Sequence, residues 1–168
     1  MENTKNVVIL VAERHKMTKK IFVGLVMLFL IMQLLQPTRN IAEGPFENDI
    51  SKVYALPVDV QNVFTQKCYD CHSNNTKYPW YIHIQPIGWW MASHIKEAKD
   101  EINFSEFKTY NEKRASHKLE EVMEDMEDGS MPISSYVWLH SEAKVTPEEA
   151  KAINKWIQSL GIVKKGKE

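Results

Sequence analysis

Cys68-Tyr69-Asp70-Cys71-His72 is the stretch on which the reading of this chain turns. The only two cysteines stand in it, three positions apart, with a histidine directly after the second. On a helical turn, positions i, i+3 and i+4 share one face. Two thiols so placed reach the two vinyl groups of one porphyrin, and the adjacent imidazole reaches the iron. C-x-x-C-H is the spacing of covalent c-type haem attachment, with His72 as proximal ligand. Three other readings of the motif stay open. A thioredoxin-like dithiol wants a βαβ context, and none precedes Cys68. A zinc site would add two of His83, His94, His117 and His140, which lack the tight spacing of a second ligand pair. A structural disulfide would close a short, strained loop.

Working outward, the segment from Pro57 to Cys71 reads as a helix, with Pro57 in its first turn and Val58, Val60, Val63 and Phe64 as its apolar positions. Residues 73–88 hold Asn, Pro and Gly and read as a loop. Apolar spacing predicts a helix from Trp89 to about Ile102, then irregular chain over 103–116 with a cap at Asn103-Phe104-Ser105. A charged helix comes next over Lys118–Glu127, with Leu119, Val122, Met123 and Met126 on one face, and Asp128-Gly129-Ser130-Met131-Pro132 breaks it. Thr146-Pro147-Glu148-Glu149 is a helix start with cap, first-position proline and third-position glutamate. Its stripe of Ala150, Ile153, Trp156, Ile157 and Leu160 stops at Gly161. No run of strand period stands out, so the domain is expected to be all-α.

Haem iron used for electron transfer needs a second axial ligand. Met131 is the expected one: a soft thioether on a loop 59 residues after His72, with Pro132 to stiffen it. The chain has eight methionines, so an ordinary packing role is the competing reading. His94, on a helix face beside Met91 and Ile95, is the alternative sixth ligand, and surface or hydrogen-bonding roles fit His83, His117 and His140 better. Tyr78, Trp80, Tyr81, Trp89 and Trp90 are expected to pack about the porphyrin, with indole N–H groups toward its propionates. The acidic run Glu120–Asp128 reads as a solvated face or as a docking surface for a basic partner.

The totals suit one domain with a tail: 168 residues, about a quarter of them charged. A net charge of −1 carries no nucleic-acid signal. The charge is uneven, since residues 1–36 hold five Lys/Arg against two Asp/Glu. Lys19 and Lys20 abut an apolar run from Ile21 to Leu35, longer than a leader core and shorter than a full span. No small-x-small cleavage site comes after it. The expected organisation is a basic cytoplasmic start over 1–20, a signal-anchor or transmembrane helix over 21–36, and a linker over 37–56. The haem domain extends over 57–162, and a basic tail over 163–168. That places a single-pass protein in the inner membrane with its haem domain on the periplasmic side. Release into the periplasm after cleavage is the alternative. Either Met1 or Met17 serves as the start.

The stretch from Gln36 to Leu160 resembles the bacterial haem-binding domain family that carries one C-x-x-C-H motif, common in Bacteroidetes. The blocks that carry the resemblance are Gln36-Pro37 with Arg39-Asn40, Cys68-Tyr69-Asp70-Cys71-His72-Ser73-Asn74 and Tyr78-Pro79-Trp80-Tyr81. They continue through Gln85-Pro86-Ile87-Gly88-Trp89-Trp90, Asn103-Phe104-Ser105-Glu106-Phe107, Met131-Pro132 with Tyr136, and His140 with Ala143. The resemblance implies a cytochrome c-like helical domain around one haem c. The insert between His72 and Met131 is longer than in the smallest class I cytochromes c. The expected function is one-electron transfer with unnamed redox partner proteins. A haem-based sensor or peroxidase-like enzyme, with an open sixth position, is the alternative. No Ser/His/Asp set, phosphate loop or paired acid–base site points to another chemistry.

Overall fold

The computed structural model describes residues 2–163, with side chains from Glu13 onward. Its elements are helical: α1 (Glu2–Met32), α2 (Val58–Val63), α3 (Tyr69–His72), α4 (Ile87–Glu101), α5 (Glu112–Asp128), α6 (Ser134–Leu139) and α7 (Pro147–Ser159). Short 3₁₀ turns lie between them, and the only β-like pairing among the described residues is an isolated bridge, Ile41 with Asn75. The expected all-α class holds.

The chain divides into two compact units. One joins residues 39–78 to the segment from Ala92 onward, and it contains the hydrophobic core. Phe64 stacks on Phe104 at 4.8 Å and meets Trp156 edge-on at 5.7 Å. Ile50, Leu119, Ile153 and Ile157 are fully buried around this aromatic centre. Trp156 spends its indole N–H on the Ala55 carbonyl, 3.1 Å away. Within the expected 37–56 linker, Ile50 is buried and Asp49 caps its own turn by accepting from the Ser51 N–H.

The other unit joins the chain up to Thr38 with Pro79–Met91. Here α1 covers much of the expected 21–36 helix but begins far earlier and ends at Met32. Ile21, Phe22, Leu25 and Leu28 are more than half exposed. Among the described residues, no helix is long and apolar enough to cross a membrane.

Several boundaries differ from the sequence reading. Pro57 is the cap of α2, in extended conformation, and the helix begins after it. The expected continuous helix to Cys71 is interrupted by a π-turn over Phe64–Cys68, closed by the Tyr69 N–H on the Phe64 carbonyl. The 73–88 loop contains a 3₁₀ turn over Trp80–His83, and α4 starts two residues early. The Asn103 side chain does cap a turn, over Phe104–Thr109. Asn111 then accepts from the Arg114 N–H and starts α5 six residues before the expected point. Gly129 ends α5 in the left-handed region, at φ 66°. The capping box at Thr146 and Glu149 forms as expected. From residue 164 the expected basic tail lies outside the described residues, as do the side chains of residues 1–12.

Candidate functional site

Val60, Val63 and Phe64 bury α2 against the core, and the π-turn then carries the chain to Cys68. An extra residue per turn rotates the chain beyond it, so Cys68 and Cys71 are only partly buried while Phe64 is fully so. The motif's exit is tied to chain thirty residues later. Ser105 Oγ accepts from the Asn74 N–H at 3.1 Å, and the Asn103 amide donates to Asn74 Oδ1 at 2.8 Å. Asn74 in turn donates to Glu106 Oε1 at 2.8 Å. Asp70 is held from two sides, by the Lys77 N–H on Oδ1 and the Tyr136 hydroxyl on Oδ2, each at 3.2 Å. Its carbonyl accepts from Thr76 Oγ1 at 2.6 Å.

His72 is the best-defined member of the site. Its Nδ1 lies 3.0 Å from the Ala98 carbonyl and 3.1 Å from the Ile102 carbonyl, at the end of α4. Both partners are acceptors, so Nδ1 carries the proton and the lone pair is on Nε2. Burial pushes the imidazole below its ordinary value, against the pull of the two carbonyls, and keeps the ring neutral. Phe104 meets the ring edge-on at 6.1 Å.

Cys68, Cys71 and His72 line one cavity of about 480 Å³, within the range of cofactor pockets. Apolar walls come from Phe64, Ile102, Phe104, Val122, Val145 and Ile153. Met131, Pro132, Ile133 and Tyr136 line the same space, as does Met126 from α5. His94 is in the lining too. Its acidic side is made by Glu97, Glu101, Glu121, Glu124 and Asp125. Two lysines reach it, and both are engaged. Lys67 Nζ lies 2.6 Å from Glu149 and 2.7 Å from the Lys144 carbonyl. Lys118 Nζ bonds Glu101 at 2.6 Å and Glu121 at 2.7 Å.

The thiols are free. Burial, with the Cys71 charge as a lesser cause, pushes the Cys68 thiol up to about 12. Burial and the Asp70 carboxylate push Cys71 up to about 11. A reactive redox dithiol has a depressed value, so the raised thiols do not favour the thioredoxin-like reading. Among the described residues, no three His, Cys, Asp or Glu side chains come together to hold a metal ion, and the four-ligand zinc site is not assembled.

The structure therefore brings together Cys68, Cys71, His72, Met131 and His94. It does not bring Trp80, Trp89 or Trp90 to the cavity lining. Trp80 is 76% exposed, and Trp89 donates its indole N–H to the Leu35 carbonyl at 2.6 Å. The aromatic walls come instead from Phe64 and Phe104. His117 pairs with Glu121, and His140 stacks on Tyr136 at 4.5 Å; neither lines the cavity, nor does His83. Lys67, Phe104, Met126 and Tyr136 were missed as lining residues. Met126 lay on the apolar stripe of α5 and Phe104 in a matching block, but no local signal turns either toward the motif.

Two thiols, a neutral imidazole with its lone pair free and an apolar space between them fit a haem. The family comparison decides the matter: residues 27–159 match the model of the haem-binding domain. The chain belongs to the haem-binding domain family. No curated protein and no solved structure matches it. As a haem-binding domain it is a haem protein, and the matched span takes in Cys68, Cys71, His72, His94 and Met131 together. The span also begins inside α1.

Proposed function

We propose that this haem-binding domain is a mono-haem c-type electron carrier, with Cys68 and Cys71 joined to the porphyrin and the iron held between His72 and Met131. The observation that carries the reading is the commitment of His72 Nδ1 to the Ala98 and Ile102 carbonyls, beside both thiols. Such a bond fixes the tautomer and ring orientation, and it makes Nε2 a better donor to iron. Cys68 and Cys71 would hold the porphyrin as thioethers, a linkage that adds each S–H across one vinyl group and needs no oxidant. Bound there, haem supplies a one-electron ferric/ferrous couple.

Met131 is favoured over His94 as the residue that would join His72 in holding the iron, for a geometric reason. His94 stands on α4, one turn before Ala98, on the helix that already backs His72. Met131 belongs to a separate arm after α5, tied to the motif through Tyr136 and Asp70. Met126 packs against the hydrophobic core.

The chain is further read as exported and held at the inner membrane, with Lys19 and Lys20 on the cytoplasmic side and the haem domain in the periplasm. Helix α1 alone is not long and apolar enough to cross, so the hold rests on the whole apolar run from Ile21 to Leu35. An apolar run this short relies on long basic side chains reaching the interface at its end. Redox partners would then meet it in the plane of the membrane.

Intact mass from cells competent in haem attachment tests the covalent link, and a mass equal to apoprotein overturns it. In the oxidised protein, a weak Met-to-iron band at the red end should vanish in Met131→Ala and persist in His94→Ala. A high-spin, water-ligated spectrum in the unaltered protein would turn the reading to a sensor or peroxidase-like site.

A further inference from the structure

The residues just past the apolar run of α1 are not a spacer. Gln85 is fully buried, and most of its polar groups are satisfied by residues at the end of α1. Its backbone N–H donates to Gln33 Oε1 at 2.8 Å, and its carbonyl accepts from Gln33 Nε2 at 3.3 Å. Its side-chain amide donates to Gln36 Oε1 at 3.1 Å and accepts from the Trp89 N–H at 3.0 Å. Gln36 Nε2 reaches the His83 carbonyl at 3.1 Å, and Trp89 reaches the Leu35 carbonyl. Gln33 is itself set by the helix, since its Nε2 also donates to Phe29 O at 2.8 Å. Gly88 completes the fit. A Cβ there would lie 2.3 Å from the Ile82 carbonyl and 2.7 Å from Gln85 Nε2.

We infer that Gln33, Leu35 and Gln36 are part of the folded domain, and that any leader processing falls upstream of Phe29, so the mature protein keeps the end of α1. A leader peptidase cuts shortly after the apolar core, preferring small residues. Here that window is Gln33-Leu34-Leu35-Gln36-Pro37-Thr38, the latch itself. Cutting within it would strip a fully buried glutamine of its partners, and a buried polar group left unpaired is costly. The family model also begins at residue 27, inside the helix, and not after it. The inference needs an exported chain and is otherwise independent of the haem ligands and of electron transfer.

The test uses the full chain, expressed with haem attachment and purified from all cell fractions. Intact mass should place the first residue at or before Phe29. A haem-loaded mature chain that starts at Leu34 or later overturns the inference. Hydrogen exchange on the full-length Gln33→Ala/Gln36→Ala variant gives a second readout. The Gln85 backbone amide should exchange roughly ten-fold faster or more, as expected when a buried donor loses its acceptor, with the Ile157 amide unchanged. Unaltered exchange at Gln85 overturns the latch. Recovery of haem-loaded protein in the soluble periplasmic fraction with α1 intact supports the latch while refuting the membrane reading, so the two fail separately.

Discussion

Phe104→Ala should be the most damaging single truncation near the site, and its cost is set by the groups the ring touches. Phe104 is 2% exposed. It stacks on Phe64 at 4.8 Å and on Tyr69 at 5.7 Å, and it meets His72 edge-on at 6.1 Å. Removing a buried phenylalanine costs about 3–5 kcal/mol, and aromatic pairs add about 0.5–1.5 kcal/mol each. The site cannot collapse to fill the gap, because Phe104 already borders a cavity of about 480 Å³. The cost therefore belongs near about 5 kcal/mol. At about 2–4 °C per kcal/mol for a chain of this size, the midpoint should fall by about 10–20 °C. Phe104→Leu keeps most of the volume and loses the stacking, so about 1–2 kcal/mol is expected. Denaturant unfolding of both variants without haem, monitored by tryptophan fluorescence, measures the two costs free of cofactor linkage. A Phe104→Ala cost below about 2 kcal/mol, or equal costs for the two variants, would refute the view of this ring as the support of the motif turn.

Gly88→Ala should destabilise by about 1–3 kcal/mol despite the better helix propensity of alanine, because its methyl meets a backbone carbonyl; thermal unfolding measures it, and a stabilised variant would contradict the close approach. The Glu149 carboxyl is opposed by burial but held below its usual value by Lys67 and the Thr146 backbone. A depressed folded value means the contribution is present above the unfolded carboxylate range, about 4.3, and is lost as pH falls through the folded value. The stability gap between Glu149→Gln and the unaltered chain should thus be open at pH 7 and narrow on acidification, as unfolding at several pH values would reveal. Asn103→Ala removes the cap on the Ser105 N–H and the donor to Asn74, so about 1–2 kcal/mol should be lost in denaturant unfolding.

Local signals made part of this molecule legible. The capping box that opens α7 lies within four residues and is read directly; the Cys68–His72 motif lies within five, and it stands out as readily. Asn111 was not recognised as a cap because polar and basic residues come after it, and the apolar stripe of α5 becomes evident only at Leu119. Helix α6 is six residues long and leaves Trp138 83% exposed, so periodicity had little to register. The aromatic residues of the cavity lining differ from the expected ones for another reason. Trp80, Trp89 and Trp90 lie close after the motif in sequence, whereas the cavity walls come from Phe64 and Phe104, forty residues apart. Periodicity tells which face of a helix is buried but not what it is buried against. The blocks Ser73-Asn74 and Asn103-Phe104-Ser105-Glu106 were each visible, but their mutual hydrogen bonds appear only in the fold.

The π-turn over Phe64–Cys68 sets a rule for how this segment can vary. Thr65 and Gln66 are exposed and are open to replacement by almost any residue. Straightening this turn to regular α-helix at unchanged length would turn everything after it by about 100°. Phe64 would stay in the core while both thiols swung away from the cavity. Straightening it with the loss of one residue would leave the thiols near where they are, because the wide turn takes up one residue more than an α-turn. Homologues that place the cysteines one residue closer to the counterpart of Phe64 should therefore carry regular helix there. A motif search that allowed a one-residue gap between Phe64 and Cys68 would gather chains with the same cavity.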